Sequence, residues 1–271
     1  MRINQNIAAF NSFRNLSATN NHLGKSLEKL SSGFRINRAA DDAAGLAKSE
    51  SLRAEIRGSR QAIRNAQDGV SFVQTAEGAL NEVHSILQRM RELAVDSANT
   101  ATTDGTAQQA EIDELLAELD AIGSRSTFPG TQIFQDYSST ALTFHVGANS
   151  GDTLEFDQDL TLEAASVGGV DVSGVDVSAD ADDAISVIDD AITGLSTMRG
   201  QLGATQNRLE HVIANLSVAV ENLSASESRV RDTDMAEEMV AFTRHQIMVQ
   251  AGTAMLAQAN TVPQSVLRLL Q

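Results

Sequence analysis

Residues 185–230 read ISVIDDAITGLSTMRGQLGATQNRLEHVIANLSVAVENLSASESRV. Within them Ile188, Leu195, Leu202, Leu209, Leu216, Leu223 and Val230 recur at a strict seven-residue interval. Ile185, Ile192, Ile213 and Val220 form a partial second row, broken by Arg199 and Gln206. A helix turns once every 3.6 residues, so a seven-residue repeat keeps one apolar stripe on one side over the whole length. Such a stripe is a coiled-coil seam, and one helix cannot bury it alone.

The partner lies upstream. Leu52, Ile56, Ile63, Ala66, Val70, Val73, Ala76, Leu80, Val83, Leu87, Met90 and Ala94 hold a three-to-four spacing that predicts a long helix over 46–98. SANTATTDGT (97–106) breaks it, and Ile112, Leu115, Leu116, Leu119 and Ile122 predict a shorter helix over 108–122. Leu142-Thr-Phe144-His-Val146 and Leu154-Glu-Phe156 alternate apolar and polar residues on either side of the turn-forming Gly147–Asp152, which is a hairpin signal. VGGVDVSGVDVSAD (167–180) reads as a loop or a weak strand. The expected fold is mainly α: a long antiparallel helical coiled-coil or bundle with one small β-hairpin region at about 132–180.

Both chain ends also read as helices. Phe13, Leu16, Leu23, Leu27, Leu30 and Phe34 fall at spacings of three, four and seven, and Ile3, Ile7 and Phe10 extend the stripe backwards. Ser32-Gly33 marks its stop, and RINRAADDAAGLA (35–47), with a capping-type Asp41-Asp42 pair, is a connector to the next helix. From about Asp234 three apolar heptad rows run together: Phe242, Val249, Leu256; Met248, Met255, Val262, Leu269; and Val240, Ile247, Ala254. A helix apolar nearly all round is buried on most sides. One 271-residue chain holds too little material to cover it so fully, which points to neighbouring copies. The residues expected to carry subunit packing are Ile3, Ile7, Phe10, Leu23, Leu27, Leu30, Phe242, Ile247, Val249, Leu256, Leu267 and Leu270.

Composition narrows the function. There is no cysteine, which removes disulfides, thiolate metal sites and a Cys nucleophile. The net charge is −16, yet residues 1–64 carry 11 Lys/Arg against 5 Asp/Glu, and 146–198 hold 12 acidic residues with no Lys or Arg. Such an acidic segment repels nucleic acid. The apolar ends lack the basic flanks and Trp of a membrane-surface helix, and Gln246–Leu267 is too polar to span a bilayer. No secretory signal is legible at the start. The five histidines show no metal-ligand spacing, and Asp157-Gln-Asp159 and Asp180-Ala-Asp182-Asp183 lack the Gly and distal Glu of a calcium loop. The Arg53, Arg57, Arg60, Arg64 stripe fits coiled-coil flanking positions better than phosphate binding. With no G-x-S-x-G, P-loop or dinucleotide fingerprint, no catalytic, cofactor or metal residues are assigned and an enzyme is not expected.

Five stretches carry a family resemblance. They are IAAFNSFRNLSATNNHLGKSLEKLSSGFRINRAADDAAGLAKSESLRAEIRG at the start, RNAQDGVSFVQTAEGALNEVHSILQRMRELAVDSAN (64–99), FHVGANSGD in the middle, LGATQNRLEHVIANLSVAVENLSASESRVRDTDMAEEMV, and the ending QAGTAMLAQANTVPQSVLRLLQ. Together they resemble bacterial flagellins over about 200 residues. The resemblance implies an inner coiled-coil domain made of 1–44 plus 231–271 and an outer helical rod domain made of 45–230, a short form of the family. It implies a structural subunit that polymerises into the flagellar filament; a hook–filament junction protein of similar architecture is the alternative. Implied partners are other flagellin subunits, an export chaperone at the C-terminal helix, and the filament cap and hook-associated junction proteins, with secretion through the flagellar export channel. A Toll-like innate receptor is a further implied partner, at Arg89, Leu93 and Glu111. Met235 in RDTDMAEE departs from the family, where an aromatic often stands, but stays apolar.

Overall fold

The computed structural model describes residues 5–99, 105–137, 141–156, 159–164 and 166–269, with side chains through residue 261. Five helices account for most of it: α1 (Ile7–Ser32), α2 (Ala43–Ser97), α3 (Thr106–Arg125), α4 (Ala181–Arg231) and α5 (Met235–Leu269). Between α3 and α4 lie six short strands, β1 (Thr127–Phe128), β2 (Thr131–Gln132), β3 (Leu142–His145), β4 (Thr153–Phe156), β5 (Leu162–Glu163) and β6 (Ser166–Val167). The chain forms two compact units, Met1–Ala54 with Asn222–Gln271, and Glu55–Glu221. The borders fall inside α2 and α4, about ten residues into the expected rod at each side.

In the unit 55–221, α2 and α4 run antiparallel. Arg91 pairs with Asp189 at 2.6 Å and Glu77 with Arg199 at 3.6 Å, so earlier α2 positions meet later α4 positions. The buried seam of α2 is Ser59, Ala62, Ala66, Gly69, Val73, Ala76, Leu80, Val83, Leu87, Met90, Ala94 and Ser97, alternating steps of three and four. Facing it, α4 buries Ala184, Ile188, Ala191, Leu195, Met198, Leu202, Thr205 and Leu209. The heptad row Ile188–Leu202 is therefore core, as its spacing predicts. Its companion row is displaced by one residue from the expected one. Ala184 and Ala191 occupy the fully covered positions, while the bulkier Ile185 and Ile192 pack at the edge of the core. A similar exchange on α2 buries Ala62 and Gly69 and leaves Ile63 and Val70 half-buried. Small side chains sit where backbones approach most closely, so residue size rather than hydrophobicity selects them. At Gly69 the space is taken by neighbouring side chains: a Cβ there would lie 3.1 Å from Leu209 Cδ1 and 3.2 Å from Phe144 Cδ1.

Helix α3 adds Ile112, Leu116 and Leu119 to the same core. The expected hairpin is β3–β4, with Leu142 opposite Phe156 and Phe144 opposite Leu154. Two further antiparallel pairs stand beside it, β1–β2 and β5–β6, each with two-residue strands. Two residues carry no alternation to read, which is why the sequence indicates a single hairpin. The β1–β2 turn uses Pro129 and Gly130, the latter at φ +85°, a conformation glycine adopts without steric penalty. In the 167–180 segment Val172, Val175 and Val177 are buried. Asp171 and Asp176 each accept from the backbone N–H and hydroxyl of the serine two residues on, so 171–178 is two successive Asp-x-Ser turns, while Val167 at the start of the segment belongs to β6.

The other unit is built on α1 and α5. Asn6 caps α1 by accepting from Ala9 N–H at 3.1 Å, and Gly33, left-handed at φ 74°, ends it where Ser32-Gly33 predicts a stop. Asp234 caps α5 by accepting from Ala236 N–H at 2.8 Å. Asp42 caps α2 through Gly45 N–H at 2.9 Å, placing the start of that helix slightly ahead of the expected residue 46. Between α4 and α5 the backbone is clasped to the α1–α2 connector: Arg35 N–H donates to Arg231 O at 2.7 Å and Thr233 N–H to Gly33 O at 3.0 Å.

Candidate filament interface

Helices α1 and α5 pair antiparallel, and four cross-links fix the register. Asn6 Nδ2 donates to Ala259 O at 2.8 Å, Leu16 fills the space above Gly252, His22 stacks on His245, and Lys29 meets Glu238 at 3.4 Å. The covered side of α1 is Ala9, Ser12, Leu16, Thr19, Leu23, Ser26 and Leu30; that of α5 is Glu238, Phe242, His245, Val249, Gly252, Leu256 and Ala259. Both follow heptad steps, so the pair is a short coiled coil. On α1 its leucines alternate with Ser and Thr, and on α5 Phe242, Val249 and Leu256 alternate with Glu238, His245, Gly252 and Ala259. With small or polar residues between the large ones, the seam buries less apolar area than one apolar at every position.

A second set of large apolar side chains points the other way. Ile7, Phe10, Phe13 and Leu27 of α1 are exposed, Phe10 at 69%. So are Met235, Met239, Val240, Ile247, Met248 and Met255 of α5, with Ile247 at 60%. Met239, Val240, Thr243, Arg244, Ile247 and Met248 line a shallow apolar depression on α5. Of the three heptad rows legible in the C-terminal sequence, the Phe242 row therefore faces α1. The Ile247 and Met248–Met255 rows face outward. Apolar patches of this extent mark interaction surfaces.

The residues expected to pack subunits thus fall in two groups. Leu23, Leu30, Phe242, Val249 and Leu256 lie on the seam within the chain, whereas Ile7, Phe10, Leu27 and Ile247 lie on the outward faces. Ile3 and Leu270 lie outside the described residues; Leu267 falls within α5, outside the described side chains. Phe13, Val240, Met248 and Met255 share the outward position of Ile247 without having been singled out. For Val240, Met248 and Met255 the signal is membership of a heptad row other than that of Phe242; Phe13 stands in the α1 stripe with Leu16, and only its exposure separates it from the seam.

Of the three positions implied for receptor recognition, Arg89 donates to Glu111 at 2.8 Å and to Glu92 at 3.2 Å on the surface of α2 and α3. Those bonds, Glu111 foremost, hold the guanidinium pKa above its ordinary value. Leu93 is 7% exposed and belongs to the core. No group of three or more His, Asp or Glu residues suited to a metal ion occurs among the described residues, and no helix among them is long and apolar enough to cross a membrane.

Residues 3–139 match the family described as bacterial flagellin N-terminal helical region, and residues 185–270 the bacterial flagellin C-terminal helical region. A flagellin of Halalkalibacterium halodurans is 51% identical over 276 residues, covering 100% of both chains. The chain belongs to the bacterial flagellin family. A flagellin of Bacillus subtilis is 47% identical over 304 residues, again covering 100% of each chain. Among solved structures, a Vibrio parahaemolyticus chain described as a flagellar hook-associated protein has a TM-score of 0.58 at 14% identity, covering 71% of this chain and 100% of that one. At that identity the likeness is one of fold. As a flagellin the protein is a structural subunit of the bacterial flagellar filament and polymerises with other flagellin subunits.

Proposed function

We propose that the outward faces of α1 and α5 are the surfaces through which subunits hold one another in the filament. The observation that carries this reading is that the α1–α5 pair is apolar on two sides: Leu16, Leu23, Phe242 and Leu256 fill the seam within the chain, while Phe10, Phe13, Ile247 and Met255 stay exposed outside it. At roughly 25 cal/mol per Å² of apolar area, the outward faces contribute only when other copies cover them. Residues 1–44 with 231–271 form the inner layer of the filament and 45–230 the outer rod. The chain acts as scaffold and not as a catalyst. It leaves the cell through the flagellar export channel, with a chaperone covering the C-terminal helix beforehand. The cap and hook-associated junction proteins contact it at the two filament ends. The exposed Arg89–Glu111 pair, with Leu93 beneath, is the patch offered to a Toll-like receptor.

Elongation from seed fragments tests the central reading. Purified full-length subunits should add to seeds and give micrometre-long helical filaments in electron micrographs. Absent or very short growth would favour a junction role. For the receptor, purified monomer should activate receptor-bearing reporter cells and Arg89→Ala should activate them far less; equal activity would remove Arg89 from the patch.

A further inference from the structure

Met1 lies outside the described residues, and the other six methionines of this chain divide sharply by place. Met90 and Met198 lie in the core of the unit 55–221, Met90 fully buried. Met235, Met239, Met248 and Met255 all lie on α5 and all are exposed, Met255 at 62%. Met239 and Met248 line the apolar depression together with Val240 and Ile247, and Met255 follows Met248 by one heptad. The chain has no cysteine, so methionine thioethers are its only sulfur atoms.

Oxidation of a thioether to a sulfoxide turns a flexible apolar side chain into a polar one. On a solvated surface that change is tolerated. On a face that must become dry it leaves a bulkier polar group to be buried: Thr243 and Arg244 are the donors that line the depression with Met239 and Met248, and Gln246–Leu267, around Met255, holds no ionisable residue. We propose that α5 is a redox-sensitive assembly surface. A two-electron oxidant of the peroxide class converts Met235, Met239, Met248 and Met255 of the free subunit to methionine sulfoxide, and the oxidised subunit fails to join the filament. In each event a sulfur lone pair attacks a peroxide oxygen, the S–O bond forms as the O–O bond breaks, and water leaves. Sulfur is oxidised by two electrons and the peroxide reduced by two. Once a subunit is assembled, its neighbours cover the same sulfurs and protect them. This last step rests on the outward faces being subunit contacts.

Full-length subunits are treated with hydrogen peroxide, the oxidant is removed, and two readouts follow. Peptide mapping should find sulfoxide at the four α5 methionines before Met90 and Met198. Seeded elongation by the oxidised subunits should fall about tenfold or more. Methionine sulfoxide reductases should restore it. A variant carrying Met235→Leu, Met239→Leu, Met248→Leu and Met255→Leu should elongate after peroxide as it does before. Filaments given the same dose after assembly should show far less sulfoxide on α5. Unchanged elongation by fully oxidised wild-type subunits would overturn the inference, as would oxidation of Met90 at the rate of Met255. If untreated subunits do not elongate, the polymer-contact reading itself fails; if they elongate equally with and without sulfoxide, only the redox inference fails.

Discussion

The guanidinium of Arg231 donates to the carboxylate of Glu50 at 2.7 Å. The pair ties the end of α4 to the start of α2 within the terminal unit. Arg231 is mostly buried, lies 4.7 Å from the centroid of the Phe34 ring, and shares the neighbourhood of Ser49, which donates to Glu227. Arg231→Ala removes the cation–ring contact, about 0.5–2 kcal/mol by itself when partly desolvated, together with the ion pair. The expected outcome is a lower unfolding midpoint for the terminal unit. It can be followed by proteolysis of the α1–α2 connector, where Arg35 and Arg38 offer cleavage sites; Arg231→Lys should recover only part of the loss because it cannot reproduce the planar stacking. A wild-type cleavage rate in Arg231→Ala would mean that the junction is held by the backbone bonds alone.

Acid should loosen the same junction. Arg231 foremost lowers the Glu50 pKa below its ordinary value, and the Arg38 backbone N–H foremost does so for Asp41. In the 55–221 unit the Ser173 and Ser178 hydroxyls foremost lower Asp171 and Asp176. A carboxylate with a depressed folded pKa binds fewer protons folded than unfolded. Its contribution is complete above the unfolded value, near 4, and is lost as pH falls through the folded value. These four groups therefore predict a flat thermal stability across neutral pH and a decline that begins below about 4. In Glu50→Gln the difference from wild type should be present at pH 7 and shrink as pH falls below the ordinary carboxylate range. A difference that grows on acidification would contradict the assignment.

Two glycines in long helices should respond in opposite ways to alanine. Gly78 of α2 is exposed with nothing near the place a Cβ would occupy, so Gly78→Ala gains helix propensity and should raise stability by about 0.5–1 kcal/mol. At Gly123 of α3 the Leu162 carbonyl occupies the space of the missing side chain. Gly123→Ala must push β5 away, and overpacking of this kind destabilises by roughly 1–3 kcal/mol or more. Denaturant unfolding of the two variants beside wild type decides both signs at once.

Legibility followed side-chain size and length of pattern. The row Ile188, Leu195, Leu202, Leu209 was plain because four large residues at constant spacing have no other explanation, and each is buried. Ala184, Ala191, Ala62 and Gly69 were not legible as seam residues, since alanine and glycine look alike on a surface and at a close helix approach. The three apolar rows of α5 announced a partner beyond the chain. Which row faced α1 could not be read from α5 alone; it depends on the antiparallel register that His22–His245 and Leu16–Gly252 reveal. Leu93 shows the same limit. Its number places it one turn from Arg89, yet it turns inward while Arg89 meets Glu111 outside.

The two faces of α5 are separable by charge. Val249 lies on the seam with α1, and Ile247, two residues earlier, lies on the outward face. Val249→Asp sets a carboxylate between the paired helices, so the free subunit should lose helical signal and expose its ends to protease as well as failing to elongate. In Ile247→Asp the new carboxylate stands in water while the subunit is free, so its circular dichroism and protease resistance should match wild type. On assembly that charge must enter a dry contact, a penalty of about 3–5 kcal/mol where Arg244 does not reach it, which is a loss of roughly 10²–10⁴-fold in seeded elongation. Normal elongation by Ile247→Asp would show that the outward row of α5 is not a subunit contact. Loss of helix in both variants would show that the α1–α5 seam is wider than one row and that the faces are not independent.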